Sequence, residues 1–266
     1  MAITSVNDIA AGLASDQRIN VLKNITAPKG AGAFQSAWLA TGYPGAGAAS
    51  PAYTAGAGYT ASKDTAGAMR LTNGAIKLWL AQLAMITSLT GTIIIYDRLW
   101  SCSGMGFAAG TYTVTTPGAL PARITDSGLG CELWVEQFVG AGVATGTLTA
   151  NYLNTLGQAK SGVIATVVST PVVGQMQPVP LQTGDLGISQ LTNVVTSQTW
   201  TSGTFGMTIL KRIAYSDFLA ANVGKVQDWA MLGLAEILND ACICFMFQAA
   251  AATAIVMTGQ LSIIDK

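Results

Sequence analysis

Two glutamates, Glu132 and Glu136, stand four residues apart in Cys131–Phe138, a stretch that reads as a β-strand. That spacing puts both carboxylates on one side, the arrangement general acid–base catalysis by paired carboxylates would need. Asp97-Arg98 is a second candidate pair. Neighbouring Asp and Arg also orient loops through charge-assisted hydrogen bonds. A hydrolase reading would draw on Asp97, Asp126 or Asp185 with Glu132 or Glu136. The rest of the usual chemistry is missing from the sequence. There is no histidine, so a nucleophilic triad lacks its base and the commonest metal ligand is gone. No Ser-x-x-Lys, no GxSxG elbow and no phosphate-binding GxxxxGK[ST] occurs. Gly45-Ala46-Gly47 and Gly56-Ala57-Gly58 resemble fragments of a dinucleotide loop, but no strand leads in and no helix leads out. No aspartate cluster suits calcium. Leu181 to Ile188 is a polar turn in which Gly184, Asp185 and Gly187 read as a structural corner. Glu132 and Glu136 therefore read as a strand-face or inter-subunit ion-pair set, and no catalytic, metal or cofactor site is expected.

The elements that would position these residues are mostly strands. Thr92–Tyr96 leads into Asp97-Arg98-Leu99-Trp100. Thr111–Thr115 stops at Pro117-Gly118. Thr147–Tyr152 alternates polar and apolar with period two, the mark of a half-buried strand. Val163–Val168 is β-branched. Leu191–Trp200 and Thr204–Leu210 read as a hairpin around Thr201-Ser202-Gly203. Two last strands are expected near Ile243–Phe247 and Gln260–Ile264, the latter tied into the sheet rather than trailing as a tail. Helices are expected over residues 1 to about 25 as a short amphipathic helix, at Ile76–Leu89, and near 222–240, where Trp229, Leu232, Leu234, Ile237 and Leu238 crowd together. Short strands with Thr-rich faces imply a mainly β fold with a jelly-roll or β-sandwich core and few helices. The expected division is 1–90 for an N-terminal helix, arm and helix, and 91–266 for the β-sandwich.

Residues 26 to about 68 stand apart. Gly and Ala dominate, Pro28, Pro44 and Pro51 interrupt, and aromatics are spaced between them. So long an irregular segment is rare inside a compact domain. It reads either as an extended arm that anchors on a partner or as a strap on its own chain. For the arm, Trp38, Tyr43, Tyr53 and Tyr59 are the anchors, and Asp97 and Arg98 brace it or an interface. Trp100, Trp134, Trp200 and Trp229 read as core or subunit seams.

Composition narrows the function further. The 266 residues carry 13 Lys and Arg against 13 Asp and Glu, so the net charge is zero. An ordinary domain of this length carries roughly 65 charged side chains. Zero net charge and few cations exclude nucleic-acid binding by phosphate neutralisation. Half the residues are apolar and mean hydropathy is +0.45, which argues against disorder. The N-terminus has no basic region followed by an apolar run, so no signal peptide is expected. Ala241–Met257 is the most apolar stretch; Gln248 and Thr253 inside it and the lack of Lys or Arg near either end argue against a membrane span, and residues 242–247 read as a buried strand bounded by Asp240. Cys102, Cys131, Cys242 and Cys244 match neither a redox pair nor a zinc pattern and read as buried thiols. A sparse coat of charge fits a surface covered by other copies or by a shell.

Several turns occur in a familiar order. These are Trp38-Leu39-Ala40-Thr41-Gly42-Tyr43-Pro44-Gly45-Ala46-Gly47, Asp97-Arg98-Leu99-Trp100, Asn151-Tyr152-Leu153-Asn154-Thr155-Leu156-Gly157, Gly184-Asp185-Leu186-Gly187 and Gly259-Gln260-Leu261. The order resembles that of virion structural proteins of tailed bacteriophages, across most of the chain. Asn154-Thr155-Leu156-Gly157 departs from the pattern by placing an apolar residue in its turn. The resemblance implies a particle component without catalysis, made in the host cytoplasm and located in the virion. Capsid decoration is the leading expectation: a homo-oligomer, with a trimer favoured, bound to the major capsid protein, with no cofactor, nucleic acid, membrane or small-molecule substrate. A tail-associated or host-contact protein of the same particle is the alternative, and a virion-associated glycan hydrolase the second.

Overall fold

The computed structural model describes the chain apart from residues 1–2, 15, 29, 57–58, 73–76, 107, 115–119, 141, 143–145, 169–170, 198–201 and 266. Trp200, Ile76 and Pro117-Gly118 lie outside the described residues. In order, the elements are α1 (Val6–Leu13), β1 (Gln17–Ile25), β2 (Phe34–Ser36), β3 (Thr41–Tyr43), β4 (Leu78–Thr87), β5 (Gly91–Gly106), β6 (Gly110–Thr113), β7 (Cys131–Val139) and β8 (Leu148–Asn154). There follow β9 (Ala159–Ile164), β10 (Gln175–Pro178), β11 (Ile188–Thr196), β12 (Thr204–Phe218), β13 (Lys225–Asp228), β14 (Glu236–Ile237), β15 (Ile243–Ala249) and β16 (Ile255–Asp265). The fold is mainly β, of the β-sandwich class.

Two units emerge, neither continuous in sequence. The first comprises Met1–Gly47, Ser62–Asp97 and Ile213–Lys266, the second Ala48–Ala61 and Arg98–Arg212. Residue 90 thus falls inside the first unit, and the long strands β5 and β12 each contribute residues to both.

In the first unit, one sheet has the order β13-β4-β16-β1-β3, with β14 also on β4. Residues 91–97 of β5 pair with β15, and β15 pairs with β2. Inward residues of the two layers form one core: Ile19, Val21 and Ile25 of β1, Leu80 and Leu83 of β4, and Met257 and Leu261 of β16 meet Ile93, Ile95, Phe245 and Phe247. The single helix among the described residues, α1, starts at a capping box. Ser5 Oγ accepts from Asp8 N–H, and the Asp8 carboxylate accepts from Ser5 N–H, which satisfies two orphan donors of the first turn. Its Ile9 packs on Ala81 and Ile264. A Cβ at Gly12 would sit 3.0 Å from that of Ile264, so glycine sets how closely the helix approaches.

The second unit is built the same way. One sheet runs β6-β11-β8-β9, and the other contains β10, β7 and residues 204–212 of β12. Leu133, Val135, Met207 and Ile209 face Leu148, Ala150, Tyr152, Leu191 and Val194 across its core.

Several expectations are corrected. Ile76–Leu89 is not a helix, because its described residues form β4. Both faces of that strand are covered, by the core on one side and in part by α1 on the other, so its apolar residues do not alternate. The segment near 222–240 is also not a helix. It holds β13, a turn and β14. Asp228 Oδ1 accepts from Ala230 and Met231 N–H, and Gly233 and Leu234 adopt φ of 68° and 45°, a conformation that stops a right-handed helix. The expected N-terminal helix stops at Leu13, and residues 17–25 are strand. Leu191–Trp200 and Thr204–Leu210 do not form a hairpin: β11 lies between β6 and β8, whereas β12 pairs with β7. The strand expected at Val163–Val168 spans Ala159–Ile164, and Cys242–Phe247 does belong to a buried strand.

Candidate functional site

The Gly/Ala-rich segment is extended and lies along its own chain. In the first unit, Ala37 N–H donates to Phe245 O, and Gly47 N–H to Trp38 O. Trp38 is buried, and a Cβ at Gly47 would fall 2.3 Å from its indole. In the second unit, Tyr53 N–H donates to Ser103 O, Ser101 N–H to Tyr59 O, and Ala61 N–H to Leu99 O. Tyr59 is buried, 5.4 Å from the Trp100 ring, and its hydroxyl donates to backbone oxygens of Ala52 and Tyr53. Tyr53 is half-buried against Tyr112. Of the four expected anchors, Tyr43 is the one standing well out, at 60% exposure on β3. Trp100 and Trp134 are buried, and Trp229 is half-buried near α1.

The candidate charged residues hold the fold. Asp97 is buried in the first unit, where its Oδ1 accepts from Cys242 N–H at 2.8 Å. In the second unit, Arg98 Nη2 lies 2.6 Å from Glu136 Oε2, with side-chain exposures of 1% and 0%. The same oxygen accepts from Thr208 Oγ1 at 2.7 Å. Arg98 also donates to Ser50 Oγ at 3.2 Å, and Ser50 donates to Ser101 Oγ at 2.7 Å. Strands β5, β7 and β12 and the 48–61 strap thus converge on one buried polar knot. Glu136 is not on an exposed face, and its ion pair is within the chain. Glu132 lies on the same side of β7 but outside the knot. It accepts from Trp134 Nε1 at 3.1 Å and stands 3.9 Å from Arg212 Nε. Glu136 is thus closed to solvent inside the knot, and Glu132 makes its contacts outside it.

Asp126 pairs with Lys211 at 2.6 Å. Asp185 accepts from Tyr152 Oη at 2.6 Å and from Asn154 Nδ2 at 2.8 Å, and Gln182 N–H donates to Tyr152 Oη. The hydrogen bonds from Asn154 and Tyr152 hold the Asp185 carboxyl below the usual range. Burial, then the bond to Asp185, pushes Tyr152 up to about 12. Gly184-Asp185-Leu186-Gly187 is thereby a hydrogen-bonded corner. All four cysteines are buried with no disulfide, and burial pushes Cys102 up to about 12. Among the described residues, no three His, Cys, Asp or Glu side chains gather where a metal could sit. No helix among them is long and apolar enough to cross a membrane.

What remains open is a surface. The outward face of the sheet β13-β4-β16-β1-β3 is covered at one end by α1 and, among the described residues, carries partly exposed side chains beyond it. Register places Tyr43, Leu22, Thr258 and Ile86 in one cross-strand row. Asn20, Gln260, Ala84 and Val226 form the next. Asn24 and Val256 extend the face beyond the first row. Leu22, Ile86 and Val256 are 41–42% exposed, and Val226 is 61% exposed. None of these residues is an Asp, Glu, Lys or Arg. Gln260 Nε2 donates to Asn20 Oδ1 at 3.0 Å. A recess of about 370 Å³ between Asn20, Leu22, Tyr43, Thr258 and Gly259 indents it.

This face was missed because residues 1–25 and Ile76–Leu89 read as helices, so neither β1 nor β4 was expected, and because β1 inverts its own pattern at its centre. Leu22 points out and Lys23 points in, where its Nζ donates to Ala40 O and Gly45 O. The remaining outward residues of β1, Arg18, Asn20 and Asn24, follow the ordinary alternation and were the available signal.

No protein-family model matches the sequence, and no curated protein sequence matches it. One solved structure, that of infectious bursal disease virus Gt strain, is similar over 93% of this chain and 80% of its own, at 8% identity and a TM-score of 0.20. A superposition that loose carries no argument about fold or function.

Proposed function

We propose that the protein is a non-enzymatic structural component of a tailed-phage virion, and within that class a decoration or cement protein that packs against the major capsid protein and its own copies. One observation carries the reading. The acidic residues that could have done chemistry are held in structural hydrogen bonds and ion pairs, while a broad, sparsely charged, partly apolar sheet face is left open. Exposed contiguous apolar surface marks a site of association. The resemblance of the motif order to that of virion structural proteins supports placement in such a particle, and the sparse charge lets copies crowd without like-charge repulsion. Nothing in this role calls for a cofactor, nucleic acid or small-molecule substrate.

The test adds purified protein to particles that lack it. Binding at the head, with a gain in resistance to heat or chelator, is the expected result. Absence of binding, or label on the tail alone, overturns the decoration role. Loss of a virion-associated hydrolytic activity on Glu136→Gln, with folding intact, would overturn the non-enzymatic reading.

A further inference from the structure

We infer that the open face of the β13-β4-β16-β1-β3 sheet is a two-fold contact between two copies of this chain. The inference deepens the reading above and rests on it only for the expectation that copies associate.

Charge argues for the occupant. Across the rows of Leu22 and Asn20 the face carries no carboxylate, guanidinium or ammonium group, so stacking it on itself opposes no like charges. The next row toward α1 carries two charged residues of opposite sign, Arg18 on β1 and Asp228 on β13, at opposite ends of the row Arg18, Ser262, Gln82, Asp228. A two-fold axis lying along β16 exchanges β1 with β4. Leu22 then stands opposite Ile86 of the partner copy, and Gln260 stands opposite itself. Arg18 is then offset sideways by about one strand spacing, roughly 4.8 Å, from Asp228 of the partner copy across the gap between the sheets. An amide suits the self-opposed position because it both donates and accepts. The pattern is self-complementary, as an isologous contact requires. That favours two-fold over three-fold association through this face.

Area sets the strength of the contact. About seven residues each of β4, β16 and β1, with the three of β3 and the four of β13, at about 4.8 Å between strands and about 3.3 Å per residue span on the order of 440 Å². Two such faces bury about 890 Å², the size of a weak contact. Stacked sheets pack about 10 Å apart, and Leu22, Ile86, Val226 and Val256 are the side chains available to fill that layer.

Sedimentation equilibrium of the full chain tests it without any particle. At about 100 µM, far above the micromolar Kd of weak interfaces, the wild type is expected to be a dimer. Leu22→Glu and Ile86→Lys should each give a monomer with unchanged circular dichroism and melting. The double variant should recover the dimer, because each Glu then faces a Lys across the axis. Val256→Asp, a change that opposes two carboxylates, should dissociate the dimer independently. A monomeric wild type, or a dimer or trimer that persists in Leu22→Glu and Val256→Asp, overturns the inference. So do folded single variants whose combination stays monomeric. A protein that dimerises in this way yet binds no particle keeps this inference and loses the decoration role; one that binds particles as a monomer does the reverse.

Discussion

Arg98 and Glu136 form an ion pair of 2.6 Å with both side chains closed to solvent, 38 residues apart in sequence and on different strands. Such a pair is costly to desolvate, and losing one partner leaves a buried charge uncompensated. Arg98→Met and Glu136→Leu should each lower unfolding free energy by about 3–5 kcal/mol. The double variant should lose clearly less than the two singles added together, because no lone charge remains. Denaturant titration of the four proteins checks this. An additive double variant would mean that the pair holds nothing the packing does not.

The corner at Asp185 titrates at both ends of the pH scale. Its folded carboxyl sits below its unfolded value of 3.8. That contribution is complete above the unfolded value and is lost as pH falls through the folded one. Tyr152 has the opposite sense. Its value rises from 10 to about 12 on folding, so its contribution is complete below 10 and is lost as pH climbs toward 12. Melting midpoints across pH should therefore drop at both extremes. Asp185→Asn should flatten the acid limb, and Tyr152→Phe the alkaline limb.

The β class was legible because turn residues punctuate short Thr-rich runs, and β7, β8, β15 and β16 fall where period and composition place them. What misled were places where tertiary structure overrides the local pattern. In β4 a bulge sets Ala81 outside the ladder between Ser262/Gln82 and Ile263/Leu80. With α1 covering that end of its outer side, apolar residues recur at helical spacing without a helix. Trp229, Leu232 and Leu234 crowd together because one turn feeds two clusters: Leu232 joins the main core, and the other two pack near α1. Within the candidate site, the shared side of Glu132 and Glu136 follows from strand geometry alone. The partnership of Glu136 with Arg98 and Thr208 depends on which strands converge there, and local spacing carries no record of that. Leu22 was hidden because residues 1 to about 25 read as a helix, and within β1 its neighbour Lys23 is the residue turned inward.

Lys23 makes that inversion measurable. Burial lowers its ammonium from 10.5 to about 8. The folded state therefore disfavours the proton, and the cost is full below about 8 and fades as pH rises to 10.5. Stability should rise across that window by up to roughly 3 kcal/mol. Lys23→Met should lack the rise, although it also orphans the carbonyls of Ala40 and Gly45. The difference in pH slope between the two proteins is the quantity to measure, since exposed tyrosines titrate equally in both.

Gly206 on β12 tests how tightly the second unit is built. A Cβ there would fall 1.9 Å from the Cys102 carbonyl oxygen and 2.7 Å from the Phe138 ring. The first obstacle is backbone, which cannot swing aside as a side chain can. Overpacking of cores costs about 1–3 kcal/mol where side chains can yield, so Gly206→Ala should reach or exceed the top of that range. The strain would fall on strands that also carry Arg98, Glu136 and Thr208. Gly206→Ala should consequently be less than additive with Glu136→Leu in a double-mutant cycle, because a displaced β12 already loosens the bond from Thr208 to Glu136. Gly130→Ala in the same unit meets no atom within 4 Å but stands at φ of 71°. It should cost about 1–2 kcal/mol from backbone strain alone, and it should be additive with Glu136→Leu, which separates steric displacement of the knot from ordinary conformational strain.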